Sequence, residues 1–249
     1  MKQQYILIFL VVALVSSGSL YADNSRLSDR EQLGKRLFFD PRLSEPTGQS
    51  CASCHSPQHG FADPRGGPVS EGVIKGRFTS RSAPTVSYAA FLPVFHWDVF
   101  EDVYRGGFFH DGRTDSLEEQ EAGPMLSALE MANKSKADVV ARLRKTEYLD
   151  EFKKIYGVNA LKDAETGFDQ LASLIASYER SAEINPFSSK YDLYLDKKVE
   201  LSAQELRGLN VFEDEDKGNC AAYHQSTLGE KGRNPLYTDF TEDHVGGIG

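Results

Sequence analysis

The sequence predicts a mainly α-helical fold built from two related helical domains, the second incomplete. Three observations carry that reading. Helix-start signals are followed by apolar residues at helical spacing. No convincing run of alternating apolar and polar residues marks a strand. A stretch near the N-terminus recurs near the C-terminus.

Residues 1–22 precede the fold. Lys2 is followed by an apolar run from Tyr5 to Val15, then by Ser16-Ser-Gly-Ser19 and Leu20-Tyr21-Ala22. A basic start, a short apolar core and a small-residue exit read as a secretory signal peptide, cut after Ala22. The run is too short to span a bilayer comfortably, so a retained anchor is the weaker reading, and no other segment is long and apolar enough to span one. No cysteine stands near the exit to take a lipid.

The mature chain opens on Ser28-x-x-Glu31, a capping box, with Leu33, Leu37 and Phe38 behind it at helical spacing. Asp40-Pro41 stops that helix. From Pro57 to Pro84 the chain is rich in Gly, Pro and Ser, which predicts a long irregular loop. Ser135-x-x-Asp138 opens a further helix. Val139, Val140, Leu143, Phe152 and Ile155 form its apolar face, and Gly157 ends it. Phe168, Leu171, Leu174, Ile175 and Tyr178 mark a third helix.

The repeat links the two ends of the chain. Leu27-Ser28, Glu31, Gly34, Phe38 and Asp40 recur as Leu201-Ser202, Glu205, Gly208, Phe212 and Asp214, every pair 174 residues apart. Each copy runs on into a cysteine motif, at Cys51 and at Cys220. The division that follows is residues 23–185 for the first domain and 186–249 for part of the second.

Composition bounds the function. The 249 residues are 40% hydrophobic and 26% charged, as in a soluble globular protein and unlike a disordered chain. Lys+Arg 28 against Asp+Glu 37 gives a net charge of −9, and no basic patch stands ready for phosphates, which argues against nucleic acid as a partner. Such a surface suits a cationic redox partner. Three cysteines are too few for a disulfide-stapled scaffold.

Cys51-Ala-Ser-Cys54-His55 has the spacing of a c-type haem attachment motif. Two thiols one turn apart can each add to a haem vinyl group, and the next residue brings an imidazole to the iron. A zinc site would need further ligands, and a thioredoxin-like site a βαβ context. Export agrees, because c-type haem is attached outside the cytoplasm. In Cys220-Ala-Ala-Tyr223-His224 a tyrosine stands where the second thiol belongs. A phenol does not add to a vinyl group, so one thioether through Cys220 is the most this turn can make. His224 keeps the ligating imidazole.

On these residues the chain resembles the bacterial di-haem cytochrome c peroxidases, a family that includes the di-haem enzyme maturing a tryptophan-derived quinone cofactor. The resemblance runs from about Leu33 to Phe240. It is carried by Gly34-Lys-Arg-Leu-Phe-Phe-Asp-Pro41, Cys51-Ala-Ser-Cys-His55, Ala83-Pro-Thr-Val86, Asp111-Gly-Arg113, Glu119-Gln120, Gly123-Pro124, Leu129-Glu130-Met131 and the altered second motif. It implies two cytochrome c-like helical domains, each holding a haem c: one on Cys51, Cys54 and His55, the other on Cys220 and His224. His55 is then the proximal ligand of the peroxidatic haem. Gln120 and Glu130 line its distal side with Pro124 between them. Glu130 is implied as the acid–base group, taking a proton from one peroxide oxygen and delivering it to the leaving one. Gln120 orients the peroxide, and Arg113 pairs with a haem propionate.

The chain departs from the family pattern in ways that set further expectations. Val69 to Ser82 contains no histidine, and the position where many members place a capping His aligns near Ile74. The first haem iron is therefore expected to be open without prior reduction, with His59 and His96 as the other histidines to consider. The family's tryptophan between the haems falls at His110, and Trp97 is the single tryptophan. The family's calcium site would draw most of its ligands from beyond this chain. No Met follows Met131, and 25 residues follow His224, among them His244. That ending is expected of a partial sequence or a decaying gene copy.

Taken together, the expectation is a periplasmic peroxidase, free of the membrane once its signal is cut. It reduces hydrogen peroxide to water with electrons from a small cytochrome c or cupredoxin. A homodimer is compatible with that reading. Two alternatives stay open: a single-haem electron carrier or inactive remnant, and a di-haem oxidase that modifies a partner protein.

Overall fold

The computed structural model describes residues 26–229 and 232–242. The expected signal peptide and His244 lie outside the described residues. No helix among the described residues is long and apolar enough to cross a membrane.

Helix α1 covers Asp29–Phe38, and its start is the predicted capping box. Ser28 Oγ accepts the Glu31 N–H at 3.3 Å, and the Glu31 carboxylate accepts the Ser28 N–H at 2.6 Å. Asp29 and Glu31 in the first turn and Lys35 and Arg36 in the last complement the helix dipole. A 3₁₀ turn at Pro41–Leu43 follows, capped by the Asp40 carboxylate. Leu33, Gly34, Leu37 and Phe38 are buried against α5, Ala164–Glu179. Gly34 makes that packing possible. A Cβ built there would lie 1.9 Å from the Leu174 carbonyl oxygen, so the two backbones touch.

Helix α5 is the predicted third helix and the centre of the core. Phe168, Leu171, Leu174, Ile175 and Tyr178 are all buried. Around it pack α1, α2 (Leu117–Leu126) and α3 (Lys136–Leu143). The single helix expected from Ser135 to Gly157 is two helices, α3 and α4 (Tyr148–Tyr156). The break has a local cause. Thr146 Oγ1 donates to the Leu143 carbonyl at 2.7 Å, and the Arg144 guanidinium donates to the carbonyls of Leu161 and Lys162. These bonds close α3 and let α4 set off anew with Tyr148 and Phe152 in the core. Gly157 ends α4 as expected, at φ +87°.

Residues 57–84 are irregular, as predicted, with a 3₁₀ turn at Pro57–His59 and isolated bridges Ser56–Ala62 and Glu71–Phe78. Strands are present where none was expected. β1 (His96–Asp98), β2 (Val103–Arg105) and β3 (Thr241–Glu242) pair antiparallel in that order, with Trp97 opposite Tyr104 and Tyr104 opposite Glu242. Strands of two or three residues are too short to display an alternation. β3 ties the C-terminal stretch to a hairpin far earlier in the chain, and Gly106 N–H adds a bond to the Phe240 carbonyl at 2.9 Å. Helices α6 (Lys190–Leu195) and α7 (Ala203–Glu213) complete the helical set.

Candidate haem sites

The first motif lies in a tight turn. Cys51–Ser53 is 3₁₀, Cys54 N–H reaches the Cys51 carbonyl at 3.1 Å, and His55 N–H reaches the same carbonyl at 2.9 Å. The chain then folds back through Gly60 and Phe61, both at left-handed φ, closing the Ser56–Ala62 bridge. This return places the Phe61 carbonyl 3.2 Å from His55 Nδ1. A carbonyl only accepts, so Nδ1 carries the proton and Nε2 keeps its lone pair. That is the orientation a metal-ligating imidazole needs. Burial lowers the His55 pKa, against the pull of the Phe61 and Pro84 carbonyls, and so favours the neutral, ligating form.

The thiols are sheltered. Burial pushes the Cys51 thiol well up, and the charges of Glu121 and Glu179 add to that. Cys54 Sγ has Gln49 Nε2 and an Arg65 nitrogen each at 3.4 Å. Gln49 Oε1 is buried without a partner. Two thiols and an imidazole presented from one turn fit a covalently held haem. Cys51, Cys54 and His55 would hold it.

Glu130 follows α2 in a turn closed by its N–H to the Ser127 carbonyl at 3.1 Å. The side chain is half-buried, and burial raises its pKa against a hydrogen bond from Ser127 and the charge of Arg113. The Glu130 carbonyl accepts the Val73 N–H at 2.8 Å. A Cβ on neighbouring Gly72 would stand 2.1 Å from the Leu129 carbonyl oxygen. The loop that contains Ile74 therefore docks on the backbone of Glu130 through a glycine. Sequence reasoning missed Gly72, because a Gly-rich loop does not reveal which glycine makes a close approach.

Gln120 and Pro124 both belong to α2. Pro124 has no N–H to give the Gln120 carbonyl four residues earlier, so the helix is loosened at that residue. Arg113 stacks 3.5 Å above the Phe109 ring and pairs with Asp111 at 2.6 Å, and Phe109 covers Gly123 of α2. His110 is exposed, with Nε2 3.0 Å from the Ser82 carbonyl. His59 and His96 are also exposed, each with Nδ1 engaged nearby, at Ser56 Oγ and the Val94 carbonyl. Among the described residues no group of three or more His, Cys, Asp or Glu is placed to hold a metal ion by itself.

The second motif repeats the first in outline. Cys220–Ala222 is 3₁₀, His224 N–H reaches the Cys220 carbonyl at 2.8 Å, and His224 Nδ1 lies 2.8 Å from the Tyr237 carbonyl. Cys220, Tyr223 and His224 are all exposed. The structure thus builds Cys51, Cys54 and His55 into one turn and Cys220 and His224 into another.

A helical core carrying a Cys-x-x-Cys-His turn defines the class of c-type haem proteins. Within that class, the chain belongs to the di-haem cytochrome c peroxidase family, whose model it matches over residues 28–200. It is 36% identical over 244 residues to the methylamine utilization protein MauG of Paracoccus denitrificans, covering 95% of this chain and 62% of that one. It is 34% identical over 197 residues to the cytochrome c551 peroxidase of Pseudomonas aeruginosa, covering 78% and 50%. Among solved structures it is similar to the diheme peroxidase BthA of Burkholderia thailandensis, with a TM-score of 0.76 and 39% identity, covering 85% of this chain and 53% of that one. The chain spans about half to three-fifths of the length of these relatives. Members of the family are redox enzymes with covalently bound haem c.

Proposed function

We propose that this chain is the peroxidatic part of a c-type haem peroxidase that reduces hydrogen peroxide to water in the periplasm, with electrons from a small cytochrome c or cupredoxin. The observation that carries this reading is the Cys51–His55 turn, with His55 Nδ1 3.2 Å from the Phe61 carbonyl and burial favouring the neutral ring. A haem bound there supplies the redox-active iron at which the peroxide bond is broken. The chain's own residues supply the rest. Glu130 has a carboxyl raised toward the range in which it both takes and gives a proton. It accepts a proton from one oxygen of hydrogen peroxide and returns it to the other, which leaves as water. Gln120 offers an amide to orient the peroxide. Gly72 and Val73 hold the backbone of Glu130 in place.

The loop from Val69 to Ser82 contains no imidazole that could occupy the iron, and Ile74 stands in a turn closed by Arg77 N–H to its carbonyl at 3.0 Å. The oxidised protein is therefore expected to bind azide without prior reduction. A wholly low-spin, six-coordinate spectrum for this haem would count against the reading. The test of function is steady-state peroxide consumption with reduced cytochrome c as donor. Turnover supports the peroxidase; a loaded haem without turnover points to an electron carrier. The 36% identity to MauG favours a second reading, oxidation of a partner protein. That reading predicts peroxide-dependent modification of a co-purifying protein.

A further inference from the structure

Helices α2 and α5 pack against each other, and two carboxylates are buried where they meet. Glu121 of α2 is 6% exposed and Glu179 of α5 is 2% exposed. Each leaves one oxygen, Glu121 Oε1 and Glu179 Oε2, buried with no donor to satisfy it. The two side chains are within hydrogen-bonding reach of each other. Carboxylates only accept, so two ionised groups held together here would repel. One proton between them turns the repulsion into a hydrogen bond and satisfies both groups.

The surroundings favour keeping that proton. Glu118, on the same helix as Glu121, adds negative charge. Arg180, just past α5, adds positive charge, but its guanidinium is engaged at the surface with Glu118 at 2.6 Å. The Tyr178 hydroxyl donates to Glu183 at 3.0 Å rather than to the pair. The remaining neighbour is the half-buried Cys51 side chain. Burial, then the Glu179 charge, pushes the Glu121 carboxyl well above the usual range. Burial pushes Glu179 up to about 7, against the hydrogen bond from Glu121 and the charge of Arg180.

We propose that Glu121 and Glu179 form a shared-proton latch between α2 and α5, and that this latch positions Gln120 and Pro124 for the chemistry of the first site. Gln120 is the residue next to the latch. Its carbonyl has lost its helical donor to Pro124, so its backbone depends on how α2 is held. The proposal rests on the reading that Gln120 and Pro124 face the haem. Because both folded-state pKa values are raised, the latch is at full strength below the ordinary carboxyl range. It weakens as pH rises through neutrality and beyond, where the unfolded chain ionises freely.

The experiment uses the full chain carrying its haem, with two readouts that need no turnover. Difference infrared spectroscopy against the E121Q/E179Q double variant should show a protonated-carboxyl band in the wild type at neutral pH. Azide affinity of the oxidised protein is then titrated from about pH 6 to about pH 9, through the value to which Glu179 is pushed and beyond. Wild-type affinity should fall by at least about tenfold across it, since each pH unit past a titration changes a population tenfold. The double variant should lose that fall, because paired amides do not ionise. Glu130 is present in both proteins, so its own titration does not separate them. Should the double variant fail to fold, E121Q keeps a permanent donor to Glu179 and should flatten the profile likewise. The absence of the infrared band, or parallel azide profiles in wild type and variant, would overturn the latch. Failure of peroxide turnover alone would overturn the proposed function and leave both readouts intact.

Discussion

Two turns of this chain make the same hydrogen bonds in different company. In the first, His55 N–H reaches the Cys51 carbonyl at 2.9 Å and Nδ1 reaches the Phe61 carbonyl at 3.2 Å; in the second, His224 makes both bonds at 2.8 Å, to Cys220 and Tyr237. The helices that lead into them are capped alike, with the Glu-to-Ser bonds of α1 at 2.6 and 3.3 Å and those of α7 at 2.7 and 3.3 Å. Their surroundings differ. Helix α1 buries Leu33, Gly34, Leu37 and Phe38 against α5, whereas α7 has no buried residue. The comparison separates two kinds of information. Caps and ligand turns are made by residues a few positions apart and survive without a neighbour. A buried site needs a second helix to cover it.

The largest expected effect concerns Glu130, the acid–base group of the proposed function at the first site. Glu130→Gln keeps the shape and removes the carboxyl that the proposed function uses to move the proton. Peroxide turnover should fall by about 10²–10⁴-fold, with haem content unchanged by pyridine haemochrome. A loss under about threefold would remove Glu130 from the mechanism.

A smaller effect tests the packing through one substitution made at two equivalent positions. A Cβ on Gly34 meets the Leu174 carbonyl oxygen at 1.9 Å, while a Cβ on Gly208 meets nothing within 4 Å. Gly34→Ala should therefore destabilise the fold by about 1–3 kcal/mol or more, because α1 must move off α5. Gly208→Ala should leave it unharmed or stabilise it by about 0.5–1 kcal/mol through helix propensity. Thermal unfolding of the two variants gives the signs directly. Equal signs would mean that the two helices are packed alike in solution.

The smallest effect sharpens the comparison at the second turn. Tyr223 is 58% exposed, so Tyr223→Cys should change stability by no more than about 0.5 kcal/mol. What should change is covalent chemistry. In the wild type, mass spectrometry of the denatured chain should find two thioethers at Cys51 and Cys54 and at most one, through Cys220, in the second turn. The variant supplies the second thiol, and peptides spanning 220–224 should then carry a doubly linked haem. A second haem held at full occupancy by the wild-type turn would mean that one thioether and His224 suffice.

Much of this was legible in the residues. The capping box at Ser28, the stop at Asp40-Pro41, the irregular 57–84 loop and helix α5 all depend on neighbours in sequence, and the structure has them where they were read; the repeat at Ser202 is capped in the same way. The break between α3 and α4 was not legible, because it needs Arg144 to reach the carbonyls of Leu161 and Lys162. The short strands were not legible either, since β3 pairs with a hairpin more than a hundred residues earlier. For the site, Cys51, Cys54 and His55 could be found from spacing alone. Glu121 and Glu179 could not, because each taken singly resembles any charged helix residue.

By itself, then, the sequence determined the local chemistry: which turn presents thiols and an imidazole, which turn lacks its second thiol, and where helices begin. Those choices involve atoms within one turn of each other, so the residue types decide them. Only the tertiary structure decided what each group experiences. It set the half-buried His55 against the Phe61 return, docked Gly72 on the backbone of Glu130, closed α1 onto α5 through Gly34, and brought two carboxylates together across α2 and α5. Burial and proximity set pKa, and both arise from segments far apart in the chain.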